Sequence, residues 1–363
     1  MRMADPAGTP GLRLQAVREW LDRAGIGLDC SAPLTATLFP GGRSNVTYLL
    51  TDAHAGAVIL RRPPLGNVLP TAHDMAREHR VLTGLARAGF PAPAALALCE
   101  DPEVTGAPFL VMSYVPGRIV STAADASVLS VQERREASRD LVATLGRLHA
   151  IDLAQAGLTD LGRPQGYLPR QLVRWSKQWE LTRTRDLDTM DRLRVHLDRQ
   201  FERIPDDLPT ALVHGDFRLD NAILDSEQPR VRAVLDWEMS TLGDPLADLA
   251  LALVYWTEAA DRLRHRVPVA EHLTDAEGFL GRADVIEEYV RVSGRHTDHL
   301  DVCTALACFK LAVITESIHA RTRSGQQLGA AAADLEAMGT ATEALAEIGL
   351  AVVAKGTVAG LAS

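Results

Sequence analysis

Several things are scarce in this chain of 363 residues, and each absence removes a class of function. Cysteine is nearly missing. Cys30, Cys99, Cys303 and Cys308 form no Cys-x-x-Cys pair and no zinc spacing, which predicts free buried thiols in a reducing compartment. Positive charge is also short. Lys and Arg total 38 against 47 Asp and Glu, a net charge of −9, so a nucleic acid bound by broad phosphate neutralisation is not expected. Long apolar runs are lacking too. The longest, Leu249 to Trp256, is too short to cross a bilayer. The start, Met1-Arg2-Met3-Ala4-Asp5-Pro6, has no apolar core of a signal peptide. These absences predict a cytoplasmic protein with no membrane and no nucleic-acid partner.

Motif absences narrow the chemistry further. There is no GxxxxGK[ST] phosphate loop, no GxGxxG after a strand, and no GxSxG elbow. His296-x-x-His299 and Glu316-x-x-His319 approach metal-ligand spacing, but neither is an HExxH and such isolated pairs read as surface residues. The chain is acid-rich, yet no pair of carboxylates is singled out for hydrolysis.

What is present fits an ordinary globular protein: 47% hydrophobic and 23% charged residues, with length for two domains or one large bilobed one. Residues 1–30 read as a leader followed by a helix within Gly11 to Ala24. Residues 31–115 read as strands with one good helix, and 116–363 as a mainly helical region. Strands flank Phe39-Pro40-Gly41-Gly42-Arg43-Ser44-Asn45, where the glycine pair is either a plain turn or a hairpin whose backbone approaches a phosphate. Ala57-Val58-Ile59-Leu60 is a buried strand that delivers Arg61 and Arg62 before Pro63-Pro64 stops it. A helix spans about Asp74 to Ala88, with Thr71-x-x-Asp74 as a capping box. Its stripe of Met75, Val81, Leu82 and Leu85 includes Glu78. An inward carboxylate is costly unless paired, and Arg61 and Arg62 are the candidate partners.

Phe109 to Val115 forms another strand, ended by Pro116-Gly117, where a domain boundary is expected. Ser130-x-x-Glu133 caps the next helix. Trp175 and Trp179 share a face of a helix rich in aromatics and Arg, read as core or as substrate lining. Asp244 suits an N-cap with Pro245 at the first helical position, and Asp248 inside that apolar helix calls for a structural partner. Three further helices are expected near 281–293, 299–320 and 331–351.

The chemistry concentrates in Val213-His214-Gly215-Asp216-Phe217-Arg218-Leu219-Asp220-Asn221, followed by Leu235-Asp236-Trp237. A hairpin of Ala222-Ile223-Leu224 and Val231 to Leu235 would set Asn221 and Asp236 side by side. Together they offer the small oxygen set that Mg²⁺ takes alongside phosphates and waters. Asp216 is then left to orient an acceptor hydroxyl or accept its proton. His214 reads as a packing residue of the turn.

The spacing His-x-Asp-x-x-x-x-Asn with a later Asp resembles the aminoglycoside phosphotransferase and choline-kinase-like branch of the protein-kinase fold. The resemblance runs from about Phe39 to the helix at 299–320. It is nearest to the kinase-like domain fused to some acyl-CoA dehydrogenases and to its free-standing bacterial relatives. The residues that carry it are Phe39 to Asn45, Leu60 to Pro64, Arg77-Glu78-His79-Arg80-Val81-Leu82, Leu98 to Pro102, Arg174-Trp175-Ser176-Lys177-Gln178 and His214 to Asn221. It implies an α+β fold with a small β-rich N-lobe and a larger helical C-lobe, ATP and Mg²⁺ as cofactors, and a small-molecule hydroxyl as acceptor. Asp216 would be catalytic, and Asn221 and Asp236 would hold the metal. Arg61 would meet the nucleotide phosphates with Glu78 as its partner; Gly41, Gly42, Ser44 and Asn45 would cover the phosphates. The backbone of Ser113 to Val115 would meet adenine. Two features depart from the pattern: Arg61 stands where protein kinases have Lys, and the covering loop has two glycines with Arg43.

Tyr167, Arg170, Arg174, Trp175 and Trp256 are the candidates for the acceptor's lining, and a hydroxyacyl-CoA-type metabolite is the favoured acceptor. An aminoglycoside, which would suit an acidic protein, is the alternative. Two other classes make distinct predictions: a non-catalytic nucleotide-binding regulatory module, and a hydrolase that turns over without nucleotide.

Overall fold

Strand runs with alternating burial build the first part of the molecule. In the computed structural model, which describes residues 11–39, 45–64, 74–205, 208–268, 272–324 and 332–362, the chain divides into two compact units. The first comprises Met1–Pro116, Ala154–Leu158 and Arg232–Glu238; the second comprises Gly117–Leu153, Thr159–Val231 and Met239–Ser363. Gly41, Gly42 and Ser44 of the expected phosphate-covering loop, and Thr71 of the expected capping box, lie outside the described residues.

The first unit contains α1 (Leu14–Ala24), β1 (Thr35–Leu38), β2 (Val46–Thr51), β3 (Ala57–Arg62), α2 (Met75–Arg87), β4 (Ala95–Cys99), α3 (Pro102–Thr105) and β5 (Phe109–Ser113). The strands form one sheet in the order β1-β2-β3-β5-β4, every pair antiparallel. Val58 and Leu60 of β3 enter a core with Tyr48, Leu50, Phe109 and Val111, and Val17 and Leu21 of α1 join it. Because side chains alternate along a strand, this register sends Arg61 and Arg62 to opposite faces. Arg62 follows the core side, 4% exposed, and donates to the carbonyls of Gly11 and Thr105.

Helix α2 corrects the expected box: Asp74 is itself the N-cap before Met75, not the third residue of a box begun at Thr71, and its carboxylate accepts from the Arg77 N–H at 2.9 Å. It buries Met75, Glu78, Val81, Leu82 and Leu85. Gly84 on this face lets the Ala154–Leu158 segment approach: a Cβ there would lie 2.7 Å from Leu158 and 2.9 Å from the Ala156 carbonyl.

The chain continues, mostly within the second unit, with β6 (Arg118–Ile119), α4 (Ala123–Val128), α5 (Val131–His149), α6 (Leu153–Ala156), α7 (Tyr167–Thr182), α8 (Asp188–Phe201), β7 (Ala211–Val213), β8 (Ala222–Leu224), β9 (Val231–Val234), β10 (Thr241–Gly243), α9 (Pro245–Tyr255), α10 (Arg282–Ser293), α11 (Leu300–Arg323) and α12 (Ala332–Lys355). At α6 and β9 the chain passes from one unit to the other. Strand β6 pairs with β8 and β10 with β7, both antiparallel. Both expected caps form. Ser130 and Glu133 close a reciprocal box at α5, and Asp244 caps α9 by accepting from the Leu246 N–H at 2.9 Å, with Pro245 inside the first turn.

Helices α11 and α12 correct the expectation drawn from apolar runs. Leu300–Arg323 and Glu336–Lys355 have the length and mean hydropathy of bilayer spans, 1.4 and 1.3. Charged residues such as Lys310 and Glu316 break the run in sequence. Within the unit 67% of the α11 window is buried, with α7, α9 and α12 packed on it, so α11 is its central core helix.

Beside α10, Arg282 is 5% exposed and Asp261 is 0% exposed. Arg282 donates to both carboxylate oxygens of Asp261 and to the Trp256 carbonyl. Removing one member of such a pair strands the other charge. Asp261→Ala is expected to destabilise the protein by roughly 3–5 kcal/mol, read by urea denaturation; a loss under about 1 kcal/mol would show that the pair behaves like an exposed one.

Candidate functional site

In the second unit, β7 runs straight into the segment His214 to Asn221. The turn depends on Gly215, whose φ is +85°. A Cβ there would stand 2.9 Å from both Cβ and the carbonyl oxygen of Met239, so only glycine fits. The carboxylate of Asp248 takes the N–H groups of His214 and Gly215, one on each oxygen, the latter at 2.7 Å. Asp248 is 2% exposed, and this is the structural partner its place in apolar α9 requires. Its second support is His149 Nε2 at 3.3 Å, while His149 Nδ1 meets the Tyr289 hydroxyl at 2.8 Å. Burial holds His149 below its ordinary pKa, so a neutral ring donates from Nε2 to Asp248 and accepts from Tyr289 at Nδ1. Burial alone would raise the Asp248 carboxyl; the hydrogen bond from His149, with that from the Gly215 N–H, holds it below the usual range.

Asp216 is fixed on both oxygens. Oδ1 accepts from the Tyr255 hydroxyl at 2.9 Å, and Oδ2 accepts from Asn221 Nδ2 at 3.2 Å. The same Asn221 amide donates to the Asp216 carbonyl at 2.8 Å. Burial and the neighbouring Asp216 hold the Tyr255 hydroxyl well above its ordinary pKa, so it stays a donor. Arg218 lies over the Tyr255 ring at 5.1 Å and reaches Asp220 at 3.1 Å. Lys310 of α11 donates to the Gly215 carbonyl at 2.7 Å and sits 5.6 Å from the Trp175 ring centroid. Burial lowers its pKa, while Asp216 and Asp248 pull in the opposite direction. His214 is 0% exposed, packs edge-on against Phe217, and accepts the Asp216 N–H at Nδ1. It is a packing residue of the turn.

In the first unit, Arg61 rather than Arg62 meets Glu78, Nε to Oε2 at 3.4 Å. Its Nη2 also reaches Asp236 at 2.5 Å and Glu238 at 3.0 Å, and Asn45 donates to Glu238 at 2.6 Å. Asp236 is presented at φ +65°, unusual for a residue other than glycine. The next residue anchors it: Trp237 donates to the Val234 carbonyl at 2.9 Å and packs edge-on against Phe90. When all groups are ionised, three carboxylates and one guanidinium leave this cluster at −2. Burial pulls Arg61 down, but Glu78, Asp236 and Glu238 together hold it above its ordinary pKa. For Glu78 burial wins over the attraction of Arg61, and its pKa is pushed up to about 7.

Of the residues expected near adenine, Ser113 gives its N–H to the Ala94 carbonyl at 2.9 Å; Tyr114 and Val115 follow the strand's end. Tyr167 and Trp175 line a small cavity of about 40 Å³ with Gln171, Gly215, Asp248 and Lys310. Trp256 is 5% exposed, its N–H is used by the Leu280 carbonyl and its ring packs on Phe279; it borders a cavity of about 30 Å³ with Arg218, Asp220 and Tyr255. Arg170 is tied to the Arg163 carbonyl, and Arg174 is exposed beside Trp175. Sequence reasoning missed Tyr255, Lys310, His149 and Glu238. Lys310 alone carried a signal, as a cation inside the apolar stretch of its helix.

The raised pKa of Glu78 sets a pH dependence. A carboxyl that holds its proton more tightly folded than unfolded costs stability as pH rises from its unfolded value near 4.5 through about 7. Wild type should therefore lose stability between pH 5 and pH 8 relative to Glu78→Gln, by up to about 3 kcal/mol. Parallel pH–denaturation profiles of the two proteins would contradict this.

The signature of the phosphotransferase enzyme family matches residues 35–283. Mouse acyl-CoA dehydrogenase family member 10 is 36% identical over 335 residues, covering 89% of this chain and 30% of the relative. The chain thus spans about a third of the curated relatives it matches; for human family member 11 the identity is 34%, over 82% of this chain and 38% of that protein. Among solved structures, a Ralstonia eutropha protein provisionally described as an aminoglycoside phosphotransferase has 31% identity and a TM-score of 0.78, over 94% of this chain and 98% of its own. A spectinomycin phosphotransferase bound to ADP and spectinomycin has 12% identity and a TM-score of 0.61, over 94% and 99%, a likeness of fold. The chain belongs to the phosphotransferase enzyme family and has its protein-kinase-like fold.

Proposed function

We propose that this chain transfers the γ-phosphoryl group of ATP to a hydroxyl of a small molecule, with Asp216 as the catalytic residue. The observation that carries the reading is the state of Asp216. Its carboxylate is partly exposed, held by Tyr255 and Asn221, and mounted on a turn whose backbone is fixed by Asp248 and Lys310. Such a group orients an incoming hydroxyl and accepts its proton as the phosphoryl group leaves ATP.

The first-unit cluster supports the nucleotide half of the reading. Glu78 holds Arg61, a permanent cation whose fork suits phosphate oxygens. Tyr114 and Val115 are proposed to meet adenine, since the Ser113 N–H is already used. The −2 charge and oxygen donors around Asp236 fit a hard divalent cation, and Asp236, with Asn221 by its place in the motif, is the proposed ligand for Mg²⁺. When bound, Mg²⁺ would neutralise charge on the phosphate oxygens.

A hydroxyacyl-CoA-type metabolite is the proposed acceptor, because the curated relatives carry acyl-CoA dehydrogenase names. An aminoglycoside is the second reading, favoured by the description of the Ralstonia eutropha relative and by the net charge of −9.

Incubation with ATP, Mg²⁺ and a panel of hydroxyacyl-CoA esters and aminoglycosides, followed by mass spectrometry, should show one class gaining a phosphate. Asp216→Ala should lower the rate about 10²–10⁴-fold while nucleotide binding persists. Nucleotide binding without any phosphorylated product would instead favour a regulatory module, and turnover without nucleotide a hydrolase. Tyr255→Phe removes one donor to a charged acceptor, worth roughly 1.5–3 kcal/mol. It should lower kcat about 10–100-fold with little change in KM for ATP; an unchanged kcat would separate Tyr255 from the chemistry.

A further inference from the structure

Away from Asp216, the second unit gathers three different donor types at one point. Asp244 caps α9, His299 immediately precedes α11, and Cys303 lies in the first turn of α11. A carboxylate oxygen, an imidazole nitrogen and the thiol sulfur all fall within 4.8 Å of one another. Asp244 is 3% and Cys303 1% exposed, while the His299 side chain keeps 19%.

We propose that Asp244, His299 and Cys303 form a binding site for a borderline-soft divalent cation of the Zn²⁺ class. The donor set decides the class. Nitrogen and sulfur ligands select zinc-like ions, whereas Mg²⁺ takes oxygen, so this site is chemically distinct from the one proposed at Asp236. The division of labour on Asp244 also fits. Oδ1 is occupied by the Leu246 N–H at 2.9 Å, and Oδ2 faces His299 Nε2 at 2.6 Å, so one oxygen can bind metal while the other keeps the cap.

Coordination at roughly 2.0–2.3 Å asks the Asp244–His299 contact to open slightly and the thiol to swing inward, both side-chain adjustments. Asp244 also borders a cavity of about 340 Å³, shared with Gly243, Tyr167 and Phe201. Cys303 borders a second, smaller cavity of about 40 Å³, also with Tyr167; a solvent molecule would be the fourth ligand of such a three-residue site. On binding, the Cys303 thiol gives its proton to solvent and ligates as thiolate. The ion would then tie the start of α9 to the start of α11.

The test uses the full chain, stripped with chelator and titrated with Co²⁺. A thiolate-to-cobalt charge-transfer absorption should rise in the near ultraviolet and saturate at one equivalent, and Zn²⁺ should abolish it by displacement. Zn²⁺ should also raise the Tm of wild type, since it binds the folded state. Cys303→Ser should lose the absorption. His299→Gln, whose amide can keep the hydrogen bond to Asp244, should weaken metal binding at least about 10-fold and lose the Tm shift. Cys30→Ser should behave as wild type. The proposal is overturned if folded wild type shows no absorption, if the absorption survives in Cys303→Ser, or if it disappears only in Cys30→Ser. Should Cys303→Ser fail to fold, His299→Gln decides: unchanged affinity in that variant reduces Asp244 and His299 to an ion pair beside a buried thiol.

Discussion

At the end of β7 the chain leaves its ladder, and the N–H groups of His214 and Gly215 must find other acceptors inside the protein. Asp248 supplies both, from a helix that is otherwise apolar. A lone buried carboxylate would be expensive, but this one has two backbone donors and a neutral histidine. The remaining geometry follows from that anchor. With His214 and Gly215 pinned, Gly215 takes its left-handed turn against Met239, its carbonyl faces Lys310, and the next residue emerges as Asp216. Tyr255, seven residues beyond Asp248 on the same helix, then reaches Asp216. One helix therefore holds both the backbone of the loop and the Asp216 carboxylate.

The first unit solves a different electrostatic problem. There the carboxylates outnumber the cation, and Arg61 is shared among Glu78, Asp236 and Glu238. A lysine, with a single ammonium, could not present separate nitrogens to Glu78 and Asp236 in this way; Arg61 uses Nε for one and Nη2 for the other. The substitution that departs from the protein-kinase pattern is thus matched by the crowd of acids around it. Glu78 bears the burial cost of that arrangement.

Much of this was legible in the sequence where the governing interaction is local. Strand alternation and the stripe of α2 pointed Glu78 inward, and β3 offered two arginines; only the register against β2 and β5 decides that Arg61 faces α2 and Arg62 faces Gly11 and Thr105. The caps at Ser130 and Asp244 were readable because a cap is a contact within a few residues. Strand β4 was not readable. Ala95-Leu96-Ala97-Leu98-Cys99 has no β-branched residue, and it is a strand because β5 beside it supplies its hydrogen bonds. Helix α11 was legible over 299–320 and forms over Leu300–Arg323; only its character as an apolar core helix was masked, by Lys310 and Glu316, each of which has a partner far away in sequence.

The same reasoning explains why the loop that carries Asp216 was easier to read than the residues that support it. Asp216 and Asn221 must lie close in sequence because the turn's own backbone sets their separation; the Asn221 amide bonds the Asp216 carbonyl as well as its side chain. Tyr255, Lys310 and His149 act on that turn from α9, α11 and α5, so no spacing rule could collect them. The grouping of Asp244, His299 and Cys303 is of the same kind. His296-x-x-His299 drew the eye by spacing, yet His299 bonds an acid 55 residues earlier and lies within 4.8 Å of a thiol one helical turn later. Asp244 and Asp248 stand four residues apart on α9, and each leaves the helix to serve something else: one the start of α11, the other the loop that carries Asp216. The apolar face of α9 buries it against α11, and its two acids turn that packing into fixed positions for the His214–Gly215 turn and for His299.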